Sequence, residues 1–120
     1  MSQNGKPNNL DNNEFTENFE IKELKDSLVF FRKDDQACKR FNVFFSNLSK
    51  KYQQFVFYVT SLDGSLSKNA KEMGYDIYRT PSLVFFSNGK PITKYNEKKL
   101  LNEESIDNWI KDLNTKHNKK

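Results

Sequence analysis

Cysteine and histidine are almost absent from this chain of 120 residues, which contains one of each. A single Cys cannot form a disulfide within the chain, and the Cys pairs that hold structural zinc are missing. The one His, His117, lies in the polar C-terminal segment. We therefore predict no metal site and no cofactor. The lack of disulfides agrees with a reducing compartment, so we expect a cytoplasmic protein.

Long apolar runs are also missing from the sequence. None approaches the roughly 20 apolar residues that a membrane-spanning helix requires. Residues 1–18 are polar and contain no apolar segment of the kind found in secretory signals. We therefore expect a protein without a membrane partner.

Charged residues and phenylalanine are abundant in the sequence. Charged residues make up 30% of the chain, its net charge is +4, and 11 Phe must supply much of the core. The length suits one domain. The positive charge is explained by solubility alone or, alternatively, by an acidic partner surface. Nucleic acid is a disfavoured partner, because Arg is scarce and no basic and aromatic recognition motif is present.

The apolar pattern predicts strands that alternate with helices. Three continuous apolar runs, at 28–31, 55–59 and 83–86, predict buried strands. Helical periodicity predicts helices at 41–52, 62–73 and 106–113, the last capped by Asn102, and Thr16 is expected to cap an earlier helix over 16–24. Asn88-Gly89 predicts a type I′ turn into a strand at 92–95.

This order predicts an α/β domain with a mixed central β-sheet of four to five strands, flanked by helices on both faces. A weak strand before the first helix remains an open alternative. We divide the chain into a disordered or weakly ordered Asn-rich arm (1–14), one folded domain (15–114) and a basic polar tail (115–120).

Two segments and the C-terminal helix resemble the thioredoxin family. Residues 28–39, LVFFRKDDQACK, are similar to its central strand and active-site helix, and residues 79–89, RTPSLVFFSNG, to its cis-proline strand and hairpin. The resemblance implies a thioredoxin-like fold over most of the chain. It also implies that the Thr80–Pro81 bond is cis and borders the active-site position. A peptide-binding groove at Thr80 and Pro81 is one reading, and a purely structural proline is the other.

The active-site motif departs from the family pattern. Where thioredoxins read Trp-Cys-Gly-Pro-Cys, this chain reads Asp34, Asp35, Gln36, Ala37 and Cys38. The resemblance therefore implies that Asp replaces the attacking Cys and that Val29 replaces the carboxylate assisting proton transfer. Because disulfide exchange needs one thiolate to attack and a second thiol to resolve, we expect no thioredoxin-type reduction and no catalytic residue.

Asp35 and Cys38 each have two interpretations. Asp35 is expected to cap the helix, with a ligand role shared with Asp34 as the alternative. Cys38 is either a small buried apolar residue or a regulated thiol whose pKa is lowered by the helix N-terminus and by Lys39 and Arg40.

Two functions follow from these readings. The first is a redox-inactive protein-binding or scaffold module. Family members without the Cys pair serve in splicing factors, in chaperone assemblies and on the microtubules of some protists, so an acidic partner such as tubulin and a cytoskeletal location are the narrower expectation. Its acidic-partner patch would comprise Lys90, Lys94, Lys98 and Lys99. The second is a one-Cys thiol oxidoreductase or redox sensor acting through Cys38.

Overall fold

Strands and helices follow one another in the order that the apolar pattern predicts. The computed structural model describes residues 7–62, 64–78, 81–95 and 102–118, with side chains as far as Lys116. The strands are β1 (Asn8–Asn9), β2 (Ser27–Arg32), β3 (Val56–Ser61), β4 (Ser82–Ser87) and β5 (Lys90–Lys94). The helices are α1 (Gln36–Lys51), α2 (Gly64–Glu72) and α3 (Glu103–Asn118), and a 3₁₀ turn spans Asn12–Glu14.

The five strands form one mixed sheet in the order β1-β3-β2-β4-β5. β1, β3 and β2 run parallel, whereas β4 is antiparallel to both β2 and β5. The central strand β2 is buried along its first five residues, which explains its continuous apolar sequence. The predicted mixed α/β sheet is confirmed.

Helices cover both faces of this sheet, because alternate residues of β2 point to opposite sides. On one face Phe30 packs with α1 and α3, and its ring lies 4.5 Å from that of Phe41. On the other face Val29 and Phe31 pack with α2 and with the segment before β2. The three apolar runs predicted to be buried strands are buried, except that Val56 and Tyr58 of β3 are partly exposed.

The N-terminal part of the chain contains β1, a two-residue strand of the kind left open as an alternative in the sequence analysis. Residues 8–14 were expected in a disordered or weakly ordered arm, but β1 pairs with β3, and the Leu10 amide donates to the Val59 carbonyl at 2.9 Å. Leu10 is buried. Because the pairing is non-local, the polar sequence of the segment does not reveal it. Residues 1–6 lie outside the described residues.

The predicted helix over 16–24 is wrong. The Thr16 hydroxyl accepts hydrogen bonds from the amides of Asn18 and Glu20, which makes a turn rather than a helix cap. Phe19 has a positive φ of 61°, which an α-helix does not permit, and its side chain is fully buried. Only Phe19 and Ile21 of this segment are buried, and they pack on the sheet from a chain without helical hydrogen bonding.

Predictions at the hairpin and the last helix hold, except for the position of the tail. Asn88 and Gly89 both have positive φ values, 56° and 82°, as a type I′ turn requires. The Asn102 side chain accepts from the Ser105 amide at 2.8 Å and caps α3. This helix continues to Asn118, so the expected basic tail at 115–120 begins inside a helix.

Candidate functional site

The resemblance in the sequence points to one end of the sheet, where β2 leads into α1. Phe31 pairs with Ser82, so the end of β2 and the start of β4 lie side by side. Lys33, Asp34 and Asp35 follow β2, and Pro81 comes directly before β4. The topology therefore brings the two sequence segments to the same end of the sheet.

Asp35 caps α1, as its sequence position predicts. Its backbone is extended, with φ −143° and ψ 171°, and its side-chain Oδ1 accepts from the Cys38 amide at 2.8 Å. The carboxylate thus satisfies one of the N–H groups that a helix N-terminus leaves unpaired, and it lies where the helix dipole favours negative charge. Asp34, Gln36 and Ala37 are exposed beside it.

Cys38 is buried, with 2% of its surface exposed. It belongs to the core on the α1 and α3 face, together with Phe30 and Phe41. Its Sγ accepts a hydrogen bond from the Lys33 amide at 3.4 Å. The sulfur therefore faces the loop between β2 and α1 from inside, and of the two sequence interpretations this geometry matches the buried apolar residue.

An exposed aromatic side chain, Tyr78, lies beside the β2–α1 loop, and the sequence did not single it out. The Lys33 ammonium lies over the Tyr78 ring, 4.3 Å from its centroid, in a cation–π contact. Tyr78 remains 67% exposed. The nearness of Tyr78 to Pro81 in the sequence was the only indication that it lies at this site. Nothing in the local sequence around Lys33 or Tyr78 predicts their contact.

The remaining positions of the predicted peptide groove and lysine patch are described only in part. Pro81 is half-buried at the start of β4. Thr80, Lys98 and Lys99 lie outside the described residues, so the cis bond and the groove stay predictions.

Lys90 and Lys94, the two described members of the patch, point to opposite faces of the sheet. Directly opposed residues of antiparallel strands share a face. Lys94 opposes Val84 and donates to the Asp76 carbonyl at 2.6 Å on the α2 side. Lys90 opposes Ser87, whose side chain lies on the other face of the sheet. The change of face arises because a β-bulge shifts the strand register between the Lys94 pair and the Lys90 pair. The structure does not bring these two lysines together.

Neither a metal cluster nor a membrane-spanning helix occurs in the described part of the chain. No group of three or more His, Cys, Asp and Glu side chains is placed there to hold a metal ion. None of the described helices combines the length and apolar character needed to cross a bilayer.

Structural comparison places the molecule among known architectures. A thioredoxin f2, solved in complex with ferredoxin:thioredoxin reductase, superimposes with a TM-score of 0.69 over 93% of this chain and 98% of its own, at 18% identity. The chain has the thioredoxin fold. Its other structural relatives include mitochondrial thioredoxin 3 of Saccharomyces cerevisiae, with a TM-score of 0.66 at 22% identity over 88% of this chain and 94% of that one. The oxidised thioredoxin of Plasmodium falciparum gives 0.59 at 20% identity, over 77% and 84%.

No protein-family model and no curated protein sequence matches this thioredoxin-fold chain. The three structural relatives named above are below 25% identity, so they establish the fold and leave its function to be argued from the site.

Proposed function

We propose that this thioredoxin-fold protein is a redox-inactive binding module. Its partner protein would contact the end of the sheet at which the sequence resembles the thioredoxin active site. We call the exposed part of this region the Tyr78 surface, which comprises Lys33, Asp34, Tyr78 and Pro81.

The observation that carries the proposal is the state of the only sulfur atom that could do redox chemistry at this site. Reduction of a substrate disulfide breaks one S–S bond and requires two electrons, which a thioredoxin supplies by oxidising two of its own thiols to a disulfide. This chain has one Cys, and Cys38 is buried behind the Asp35 cap. A carboxylate at position 35 cannot take the place of the attacking thiolate.

The Tyr78 surface has the properties of a protein-binding site. Tyr is enriched among the residues that dominate binding energies, because it buries a large ring and keeps a polar tip. Most of the Tyr78 side chain is exposed, and the Lys33 ammonium contacts its ring. Asp34 adds an exposed charge at the same end of the sheet.

The one-Cys alternative is not favoured by this geometry. A mixed disulfide with glutathione needs the Cys38 sulfur to reach the incoming sulfur in line, and 2% exposure leaves no such approach without opening of the loop. Mass spectrometry of the intact protein after treatment with glutathione disulfide tests it directly. We expect no adduct in the folded protein.

An acidic partner surface, with tubulin as the named candidate, and a cytoplasmic or cytoskeletal location remain parts of the proposal. The net charge of +4 supports the acidic partner, and the single Cys agrees with a reducing compartment. The hairpin lysines add little, since Lys90 and Lys94 lie on opposite faces.

The test is quantitative affinity purification from the native cell with three baits. Tyr78→Ala removes the ring from the proposed surface, whereas Leu24→Ala is a matched control, because Leu24 is 68% exposed and precedes β2 at the opposite end of the sheet. We expect the partner captured by the wild-type protein to be lost with Tyr78→Ala and kept with Leu24→Ala.

Equal capture by all three baits would contradict the assignment of this surface. An insulin-reduction assay completes the test: a rate that depends on Cys38, measured against Cys38→Ser, would overturn the redox-inactive assignment.

A further inference from the structure

A second surface with binding character lies on the opposite side of α1 from α3. An open groove of about 470 Å³ runs between α1 and the β1–β3 edge of the sheet. Its volume falls in the range of about 300–1,000 Å³ typical of ligand sites. We call it the Arg32–Lys50 groove, and its lining includes Asn9, Arg32, Asn42, Ser46, Lys50 and Val59.

The charges of this groove are all of one sign. Arg32 and Lys50 are both exposed, and neither side chain bonds to a carboxylate among the described residues. Among the described residues, the lining contains no Asp or Glu. The contrast with the next residue is informative, because the Lys51 ammonium is paired with the Asp107 carboxylate of α3. Lys50 lines the groove instead, and no carboxylate of the described residues forms an ion pair with it.

The groove is elongated along α1. Asn42, Ser46 and Lys50 are spaced by four residues and so form one row on the helix. Eight residues of helix span about 12 Å, which is the length of about four residues of extended chain. Asn42 and Ser46 supply an amide and a hydroxyl to this row, and Arg32 enters the groove from the end of β2.

The rim of the groove suits an extended ligand. Asn9 belongs to β1, which is an edge strand of the sheet as described, and Val59 of β3 provides an apolar floor beside it. Edge strands are the places at which an extended peptide adds to a sheet through backbone hydrogen bonds. Side-chain amides and hydroxyls serve peptide groups in the same way.

We propose that the Arg32–Lys50 groove binds an extended acidic segment of a partner protein. Carboxylates of the segment pair with Arg32 and Lys50, while Asn42 and Ser46 bind its backbone. The inference deepens the proposed function, on which it rests for a partner protein, but it concerns a surface separate from Tyr78. The charge pattern specifies acidic side chains, and the elongated shape favours a peptide over a compact phosphate ligand.

The experiment measures binding of a fluorescein-labelled peptide of six glutamates by fluorescence polarisation, with a six-glutamine peptide as the uncharged control. Arg32→Gln/Lys50→Gln removes both cations of the groove. Arg40→Gln/Lys90→Gln makes the same change in net charge at exposed positions outside it. We expect the groove variant to bind the glutamate peptide about tenfold more weakly, as for two exposed ion pairs, and the control variant to bind like the wild-type protein.

Equal weakening by both double variants would show general attraction to a basic protein and would overturn the proposal. A competition experiment could also overturn the proposal. If inorganic triphosphate displaces the labelled peptide at a lower concentration than the unlabelled glutamate peptide does, the groove is assigned to a phosphate ligand.

Amide chemical shifts keep the test valid if the groove variant does not fold. On titration of the wild-type protein with the glutamate peptide, the amides of Asn42 and Ser46 should shift, and shifts confined to other parts of the chain would contradict the proposal. Tyr78→Ala should bind the peptide normally. Failure of the Tyr78 surface and failure of this groove are thereby distinguishable.

Discussion

Replacement of Asp35 by Ala tests whether this carboxylate is present for the stability of α1. The substitution removes the hydrogen bond of 2.8 Å from the Cys38 amide to Oδ1. It also removes a negative charge from the N-terminus of the helix. Asp34 provides the matched control, because it is the neighbouring exposed carboxylate and does not cap the helix.

The size of the effect follows from these two contributions. Loss of an N-cap side chain costs about 0.5–2 kcal/mol of stability. The interaction of an exposed charge with the helix dipole contributes about 0.3–1 kcal/mol in similar proteins and peptides. Since Asp35 is exposed and water replaces part of what is lost, we expect a decrease of about 1 kcal/mol in the free energy of unfolding. Asp35→Ser keeps a hydroxyl acceptor and should cost about 0.5 kcal/mol or less.

The assay is urea unfolding followed by circular dichroism, with the fluorescence of Trp109 as a second probe. Trp109 packs against the Tyr95 ring at 5.3 Å and reports on the α3 side of the core. The slope of the transition should be the same for all variants, because the surface exposed on unfolding does not change. If Asp34→Ala costs as much as Asp35→Ala, charge rather than capping explains the sequence. If neither costs anything, the capping argument fails.

Three further predictions follow from the structure. Asp35→Cys should form an intramolecular disulfide with Cys38 under mild oxidation, so that the number of free thiols falls from two to zero. The variant should still reduce insulin poorly, because the buried Val29 supplies no carboxylate for proton transfer. Persistence of two free thiols would show that the alignment with the thioredoxin active site is wrong. Gly89→Ala should destabilise strongly, since the new Cβ would lie 2.4 Å from the Ile21 carbonyl oxygen at a φ of +82°, and thermal melts equal to wild type would refute this. Burial raises the pKa of Asp107, but hydrogen bonds from Lys51 and Tyr52 outweigh burial and hold this pKa below its ordinary value of 3.8. The ionised Asp107 therefore stabilises the fold above pH 3.8, and this contribution is lost as the pH falls below 3.8. Asp107→Asn should flatten the acid limb of a plot of unfolding free energy against pH.

The pH dependence at the alkaline end has a separate cause. Burial and a hydrogen bond to Glu23 raise the pKa of Tyr58 to about 12, above its ordinary value of 10.0. A raised pKa means that the neutral phenol stabilises the fold fully below pH 10.0, and this contribution is lost as the pH rises toward about 12. Tyr58→Phe should remove that loss in urea titrations at alkaline pH, and an unchanged alkaline limb would contradict the assignment.

The buried strands, the hairpin turn and the helix caps could be predicted from the sequence, because each depends on residues that are close together in the chain. Apolar runs mark the strands β2, β3 and β4, since a strand covered on both faces needs an unbroken apolar sequence. The Asn88-Gly89 turn and the Asn102 and Asp35 caps follow from the conformations and hydrogen bonds of single side chains. The absence of a Cys pair needs only a count of cysteines.

Other features depend on parts of the chain that are far apart in sequence. The polar segment at β1 becomes a strand only because the edge of β3 offers it hydrogen bonds. Residues 16–24 form turns instead of the predicted helix, because Phe19 and Ile21 are buried against the sheet in a non-helical conformation. A single bulge places Lys90 and Lys94 on opposite faces of the sheet, although they lie four residues apart in the same strand.

Both proposed binding surfaces belong to this second kind. The sequence by itself determined the fold and the loss of the Cys pair, through periodicity, turn chemistry and residue identity. Tertiary structure alone decided that Lys33 meets Tyr78 and that Arg32 and Lys50 border one groove. The physical reason is that exposed side chains carry no periodic signal, and which of them meet is determined by the register of strands and the docking of helices.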